Sequence, residues 1–240
     1  MNLAQTLTPN KDSRQLYFLR SNGLQIEILR DDKHIWLLVN EVVQSAIELK
    51  PPYRPILPHC LVMLLPLIHL REPRSILELG GGGLSFQRYL AHAHPGIAFT
   101  SVECNQDIIA AVQSNFPQSE SLKVAHSDAF EYLRRCVKQQ ETFDWLIVDL
   151  FQGAQSPLEN ETEAYLPQLF DAVESEGWLI LNCLNPDKAW LQSLCRMIEE
   201  LVGAPPYLFA VPQMQNHIVF VHNGPGAQFP EQVVQFNLYV

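Results

Sequence analysis

Ser75-Ile76-Leu77-Glu78-Leu79-Gly80-Gly81-Gly82-Gly83 is the stretch that decides how this chain is read. It has the pattern of a buried strand ending in four consecutive glycines. Glycine lacks a Cβ, so the backbone can reverse sharply there and let a ligand approach closely. A helical pattern follows over residues 84–93. Strand, Gly-rich turn and helix together form the nucleotide-type site of a doubly wound α/β sheet. About twenty residues further on, where such sites place an acid, a second strand pattern, Ala98-Phe99-Thr100-Ser101-Val102, delivers Glu103. An acid at that place accepts the hydroxyl hydrogens of a ribose.

Working outward, strand and helix patterns alternate. The pairs are 98–102 with 107–115, 122–125 with 129–139, 145–148 with 163–173 after a long loop over 151–160, and 178–182 with 188–201. Two further strand patterns, 207–211 and 217–222, have no helix between them and predict an antiparallel edge. The whole predicts an α/β fold with a doubly wound, mostly parallel sheet of the seven-stranded type. Upstream, strand patterns flank Ser21-Asn22-Gly23 and continue at 35–39, which predicts a small antiparallel β unit. Prolines at 51, 52, 55 and 58 mark an irregular connection, and residues 61–70 predict a helix that Pro66 bends or restarts. We divide the chain into a β unit over 1–55 and a ligand-binding α/β domain over 56–240.

Composition narrows the function classes. Apolar residues make up 47% of the 240, enough for a sizeable core. A formal net charge of −10 argues against nucleic acid as a partner, since phosphate needs a basic face. The five cysteines are odd in number and lack metal-ligand spacing, so they predict free thiols in a reducing cytoplasm and no metal. The first residues lack a leader pattern, and the apolar stretch 60–70 is interrupted and too short to span a bilayer, so no membrane partner is expected.

In an open α/β sheet, ligands sit beyond the carboxyl ends of the strands. Four strand ends carry candidates: the glycine turn, Glu103, Asp128 in Ser127-Asp128-Ala129-Phe130, and Asp149 after Trp145-Leu146-Ile147-Val148. The turn lacks the full dinucleotide fingerprint, and no Gly-Lys-Ser/Thr follows to make a P-loop. An adenosyl ligand without pyrophosphate suits it better. Asp128 can accept from the adenine amine while amides near Ala129 read the ring, and Asp128 also suits the N-cap of the next helix. These roles match ligands of the S-adenosylmethionine type.

These motifs resemble the spermidine synthase family, within the wider fold of S-adenosylmethionine-dependent methyltransferases. The resemblance runs over residues 36–184. Val43-Gln44-Ser45 resembles the end of the family's N-terminal β unit, where a glutamine contacts the ligand, and this implies a cofactor role for Gln44. Leu57-Pro58-His59-Cys60 occupies the place of a Tyr-His/Gln-Glu motif, ahead of Leu65-Pro66-Leu67, and this implies a substrate contact at His59. Leu79-Gly80-Gly81-Gly82, Val102-Glu103 and Ser127-Asp128-Ala129-Phe130-Glu131-Tyr132 resemble the family's glycine motif, ribose acid and adenine segment. Ile147-Val148-Asp149 resembles the start of its catalytic loop. The resemblance implies cofactor contacts at Gly80, Gly81, Gly82, Glu103, Asp128 and Ala129, and a reaction centre at Asp149 and Gln152. It also implies a homodimer, a small amine substrate, and S-adenosylmethionine or its decarboxylated form as cofactor, with methylthioadenosine as a product-like ligand.

Three places depart from the family pattern. Gly83 stands where an acid follows the glycines, Gln152 where the catalytic loop has its second Asp, and Cys60 where a Glu follows the His. A transferred alkyl group needs an amine freed of its proton, and a carboxylate serves as base and orienter. Glutamine can orient an amine but cannot take the proton. The residues therefore leave three readings open: a spermidine-synthase-like aminopropyltransferase, a small-molecule methyltransferase, and a ligand-binding scaffold without catalysis.

Overall fold

The computed structural model describes residues 8–21, 23–69, 71–118, 121–151, 158–212, 214–224 and 229. Four strands, β1 (Arg14–Ser21), β2 (Leu24–Arg30), β3 (His34–Val39) and β4 (Val42–Glu48), form an antiparallel sheet in sequence order. The hairpin expected at Ser21 and Gly23 is present, with Ser21 opposite Leu24. Two short helices follow, α1 (Pro58–Met63) and α2 (Leu65–His69). The single helix expected over 61–70 is thus split, and Pro66 sits in the first turn of the second piece, where its missing N–H costs nothing.

The remaining elements alternate: β5 (Ser75–Leu79), α3 (Ser85–Ala93), β6 (Ala98–Glu103), α4 (Gln106–Asn115), β7 (Val124–His126), α5 (Ala129–Lys138), β8 (Phe143–Val148), α6 (Leu158–Asp171), β9 (Val173–Leu184), α7 (Lys188–Val202), β10 (Tyr207–Ala210) and β11 (Asn216–His222). The seven strands pair in the order β10-β11-β9-β8-β5-β6-β7. Strands β7, β6, β5, β8 and β9 run parallel, and β11 and β10 join antiparallel, as expected from the tail. The sheet is covered on both faces. Leu77 and Leu79 pack with Leu133, Leu169 and Leu194 of α5, α6 and α7, while Ile76 packs with Met63 of α1 and Phe86 of α3. The four-stranded sheet closes a third core, in which Ile26 and Ile28 meet Ala111 and Val112 of α4.

Two boundaries differ most from expectation. Helix α6 begins at Leu158, inside the expected loop, and β9 begins at Val173, the last residue of the expected helix and well ahead of the strand expected over 178–182. Glu174 to Gly177 carries a polar, turn-like sequence, yet it extends β9 through a register shift opposite Phe143 and Trp145. Among the described residues no helix is long and apolar enough to cross a membrane, and no group of His, Cys, Asp or Glu side chains is placed to hold a metal ion.

Candidate functional site

Strands β8, β5 and β6 are neighbours in the parallel sheet, so their carboxyl ends meet at one edge. The Gly80 and Gly81 N–H groups both donate to the Val102 carbonyl, at 2.9 and 2.8 Å, and the Asp149 N–H donates to the Leu79 carbonyl at 2.8 Å. The turn is thereby strapped to both flanking strands. Gly80 has φ +99°, and a Cβ there would lie 2.7 Å from the Asp149 carbonyl carbon. No other residue type fits so close a backbone approach.

Above this turn lies a cavity of about 410 Å³. Gly80, Gly81, Gly82 and Glu103 line it, as do Asp128, Ala129, Asp149 and Gln44, which β4 brings over from the other sheet. The strand-end candidates therefore share one crevice. His59 is not among the lining residues. It is buried in α1, its Nδ1 has no hydrogen-bond partner among the described residues, and burial lowers its pKa to about 4. Its neighbour Cys60 lines the cavity instead. Gln152 lies outside the described residues.

Each acid is fixed by a different device. Glu103 Oε2 accepts from the Gly82 N–H at 3.0 Å and Oε1 from the Asn105 N–H at 2.9 Å, so the carboxylate ties the turn to the end of β6. Both oxygens keep lone pairs for further donors. Asp128 caps α5, with Oδ1 accepting from the Phe130 and Glu131 N–H groups at 2.9 Å each. That use leaves Oδ2 free of any described partner. Asp149 Oδ1 accepts from Asn182 Nδ2 at 2.7 Å, and Asn182 Oδ1 in turn accepts from Asn216 Nδ2 at 2.9 Å. This relay of amides from β9 and β11 holds the carboxyl in place. Burial raises the Asp149 pKa to about 6, against the lowering effect of the Asn182 bond.

Three further residues line the cavity without having been expected there. Glu78 comes from inside β5, only 2% exposed, and accepts from the Ser101 hydroxyl at 2.5 Å. Ser45 and Ser85 join β4 to the start of α3 through a hydroxyl–hydroxyl bond. A Cβ on Gly83 would lie 2.6 Å from the Ser45 Cβ. Glu78 had one legible signal, a charged residue in an otherwise apolar strand, whereas the Ser45 contact is non-local and left none.

Among the described residues, four carboxyl groups line this cavity and no Lys, Arg or His does. Such a lining attracts a positively charged ligand and repels an anionic one. The glycine turn leaves open space at Gly82, where a Cβ would meet nothing within 4 Å, and Ile108, Phe130 and Leu150 supply apolar walls. Phe130 is itself held by stacking on Tyr165 of α6, centroids 3.8 Å apart.

Comparisons with known proteins agree with this architecture. The model of the spermine/spermidine synthase domain matches residues 57–228. A polyamine aminopropyltransferase of Chromobacterium violaceum is 25% identical over 169 residues, covering 69% of this chain and 64% of the relative. The chain therefore spans just under two thirds of that relative's length. Among solved structures, a probable spermidine synthase from Corynebacterium glutamicum superposes with a TM-score of 0.70 at 20% identity, over 96% of this chain and 88% of the other. A spermidine synthase in complex with the transition state analogue AdoDATO superposes with a TM-score of 0.65 at 16% identity, over 95% and 85%. On the strength of the domain match, which takes in the glycine turn, Glu103, Asp128 and Asp149, the chain belongs to the spermine/spermidine synthase domain family.

Proposed function

We propose that this protein binds decarboxylated S-adenosylmethionine in the cavity above the glycine turn and transfers its aminopropyl group to a small amine. One observation carries this reading: among the described residues, four carboxyl groups and no cationic side chain line the cavity. The decarboxylated ligand carries a sulfonium and an ammonium and no negative charge. Intact S-adenosylmethionine adds a carboxylate, which this lining disfavours. When bound, the sulfonium supplies a carbon already activated for displacement.

The chain's own residues do the rest. Glu103 accepts from the ribose hydroxyls while its bonds to Gly82 and Asn105 hold it in place. Asp128 accepts from the adenine amine through Oδ2 while its other oxygen caps α5. Asp149, held by Asn182, takes the proton from the attacking amine. Its pKa of about 6 keeps it ionised at neutral pH yet basic enough to accept that proton. Gln44 closes the cavity from β4. We assign no ligand contact to His59, which is buried in α1 beside Cys60.

Calorimetric titration with decarboxylated S-adenosylmethionine, intact S-adenosylmethionine and methylthioadenosine tests the reading, followed by a transfer assay with short aliphatic diamines. The decarboxylated form is expected to bind at least tenfold more tightly than the intact one. Equal or tighter binding of the intact form would shift the assignment to methyl transfer, and binding of none by folded protein would remove the ligand site altogether. Glu103→Ala is expected to weaken methylthioadenosine by about 1–3 kcal/mol, the scale of a charge-assisted hydrogen bond. An unchanged dissociation constant would take Glu103 out of the ribose site.

A further inference from the structure

The family resemblance places a tail-binding acid directly after the three glycines, and this chain has Gly83 there. The structure shows that no acid fits. Ser45 fills the space in which a Cβ would stand, and its hydroxyl is committed to Ser85. A carboxyl group nonetheless reaches the same cavity by another route, from inside the sheet. Glu78 lies on β5, on the face opposite Leu77 and Leu79 and directly across from Ser101 of β6. It is almost fully buried and lines the cavity. Its Oε2 accepts the Ser101 hydroxyl hydrogen, and among the described residues Oε1 accepts no hydrogen bond.

We propose that Glu78, through its free oxygen, holds the ammonium end of the ligand's aminopropyl tail, replacing the acid that Ser45 excludes from position 83. This rests on reading the cavity as an adenosyl site. A buried carboxyl group without a cation is costly, and a bound ammonium ion supplies the missing partner. Among the described residues, the groups facing Glu78 from the surrounding elements add no cation. Asp149 comes from β8, Glu103 from β6 and Cys60 from α1, while α3 and β4 contribute only Ser85, Phe86, Gln44 and Ser45. Burial holds the Glu78 carboxyl well above the usual range, Asp149 and Glu103 push it further up, and the Ser101 bond opposes them. A docked ammonium ion favours the ionised carboxylate, so a proton that Glu78 holds in the free protein passes to solvent on binding. No bond other than this O–H breaks.

The test compares two ligands that differ only in the tail. S-Adenosyl-3-thiopropylamine and methylthioadenosine are both neutral at sulfur, but only the first carries an amine. Each is titrated calorimetrically at pH 7.5 into wild type and Glu78→Gln, in two buffers of different ionisation enthalpy. Wild type is expected to prefer the aminated ligand and to release protons on binding it. Glu78→Gln should weaken that ligand at least tenfold, abolish the proton release, and leave methylthioadenosine within twofold, which also reports that the variant is folded. Equal losses for both ligands, or no loss for either, would overturn the role of Glu78 while leaving the adenosyl site standing. If wild type binds neither ligand, the adenosyl reading itself fails and takes this inference with it. Should Glu78→Gln not fold, Glu78→Asp serves in its place. It keeps the charge one methylene short and should weaken the aminated ligand alone, and an equal effect on both ligands would again overturn the assignment.

Discussion

Asp149→Asn is expected to lower kcat for amine transfer by about 10²–10⁴-fold, the range set by losing a positioned general base, while making the folded protein more stable at pH 7.5. Both effects come from the same burial. The carboxyl sits at the end of β8 beneath the cavity, and its pKa is raised from 3.8 to about 6. Between those values the folded state holds a proton that the unfolded chain has lost. Stability therefore falls as pH rises from about 4 to about 6, and above that window the ionised group costs the fold up to about 3 kcal/mol. Asparagine accepts the same Asn182 hydrogen bond through its carbonyl oxygen and brings no charge to bury. Denaturation midpoints at pH 4, pH 5 and pH 7.5 check the stability half: the gain should be full at pH 7.5, about half of that at pH 5 and small at pH 4. The wild-type kcat/KM should show an ascending limb near pH 6 that the variant lacks. A variant less stable than wild type at pH 7.5, or one with undiminished kcat, would show that Asp149 is a structural member of the Asn182–Asn216 relay rather than the base.

The residues that were legible before the fold was known share one property: their signals are local. The glycine run interrupts a strand pattern within nine residues, Glu103 ends the next strand, and Asp128 caps a helix it immediately precedes. Each can be read from its neighbours in sequence because turn, strand end and cap are short-range devices. The parallel run of strands followed from their alternation with helices, and the antiparallel edge from the missing helix between β10 and β11, whereas the order of the strands across the sheet had no local signal. Glu78 was hidden for the opposite reason. A strand buried on both faces has no alternation to reveal which side chain meets the cavity, so one acid in an apolar run cannot be assigned a side. The start of β9 was hidden because Glu174–Gly177 reads as a turn, and only its pairing across the sheet extends the strand. Likewise His59 and Cys60 are adjacent in sequence, and only the packing of α1 on the sheet decides which of them reaches the cavity.

Gly83→Asp, which restores the acid of the family pattern, is expected to destabilise the protein by about 2–4 kcal/mol, the scale of overpacking a close-fitted site, and to leave transfer activity no higher. The new Cβ would stand 2.6 Å from the Ser45 Cβ, and the carboxylate would meet the Ser45–Ser85 hydroxyl pair. Relief has to come from β4, since the backbone at Gly83 is held by its neighbours. The Leu84 N–H donates to the Gly81 carbonyl at 2.7 Å, and Arg88 Nε donates to the Gly83 carbonyl at 3.3 Å. Ser45→Gly removes both offending atoms, so the double variant Gly83→Asp/Ser45→Gly should recover more than 1 kcal/mol beyond the sum of the two single changes, as contacting sites do. Ser45→Ala should recover little, because the Cβ remains. Urea denaturation of the four proteins measures this coupling. If the single Asp variant is as stable as wild type, or if the cycle is additive, the four-stranded sheet is not what keeps an acid out of position 83. If the coupling is found, the N-terminal sheet shapes the cavity through one serine, and the loss of the family's acid at the turn and the presence of Glu78 beneath it become two parts of one rearrangement.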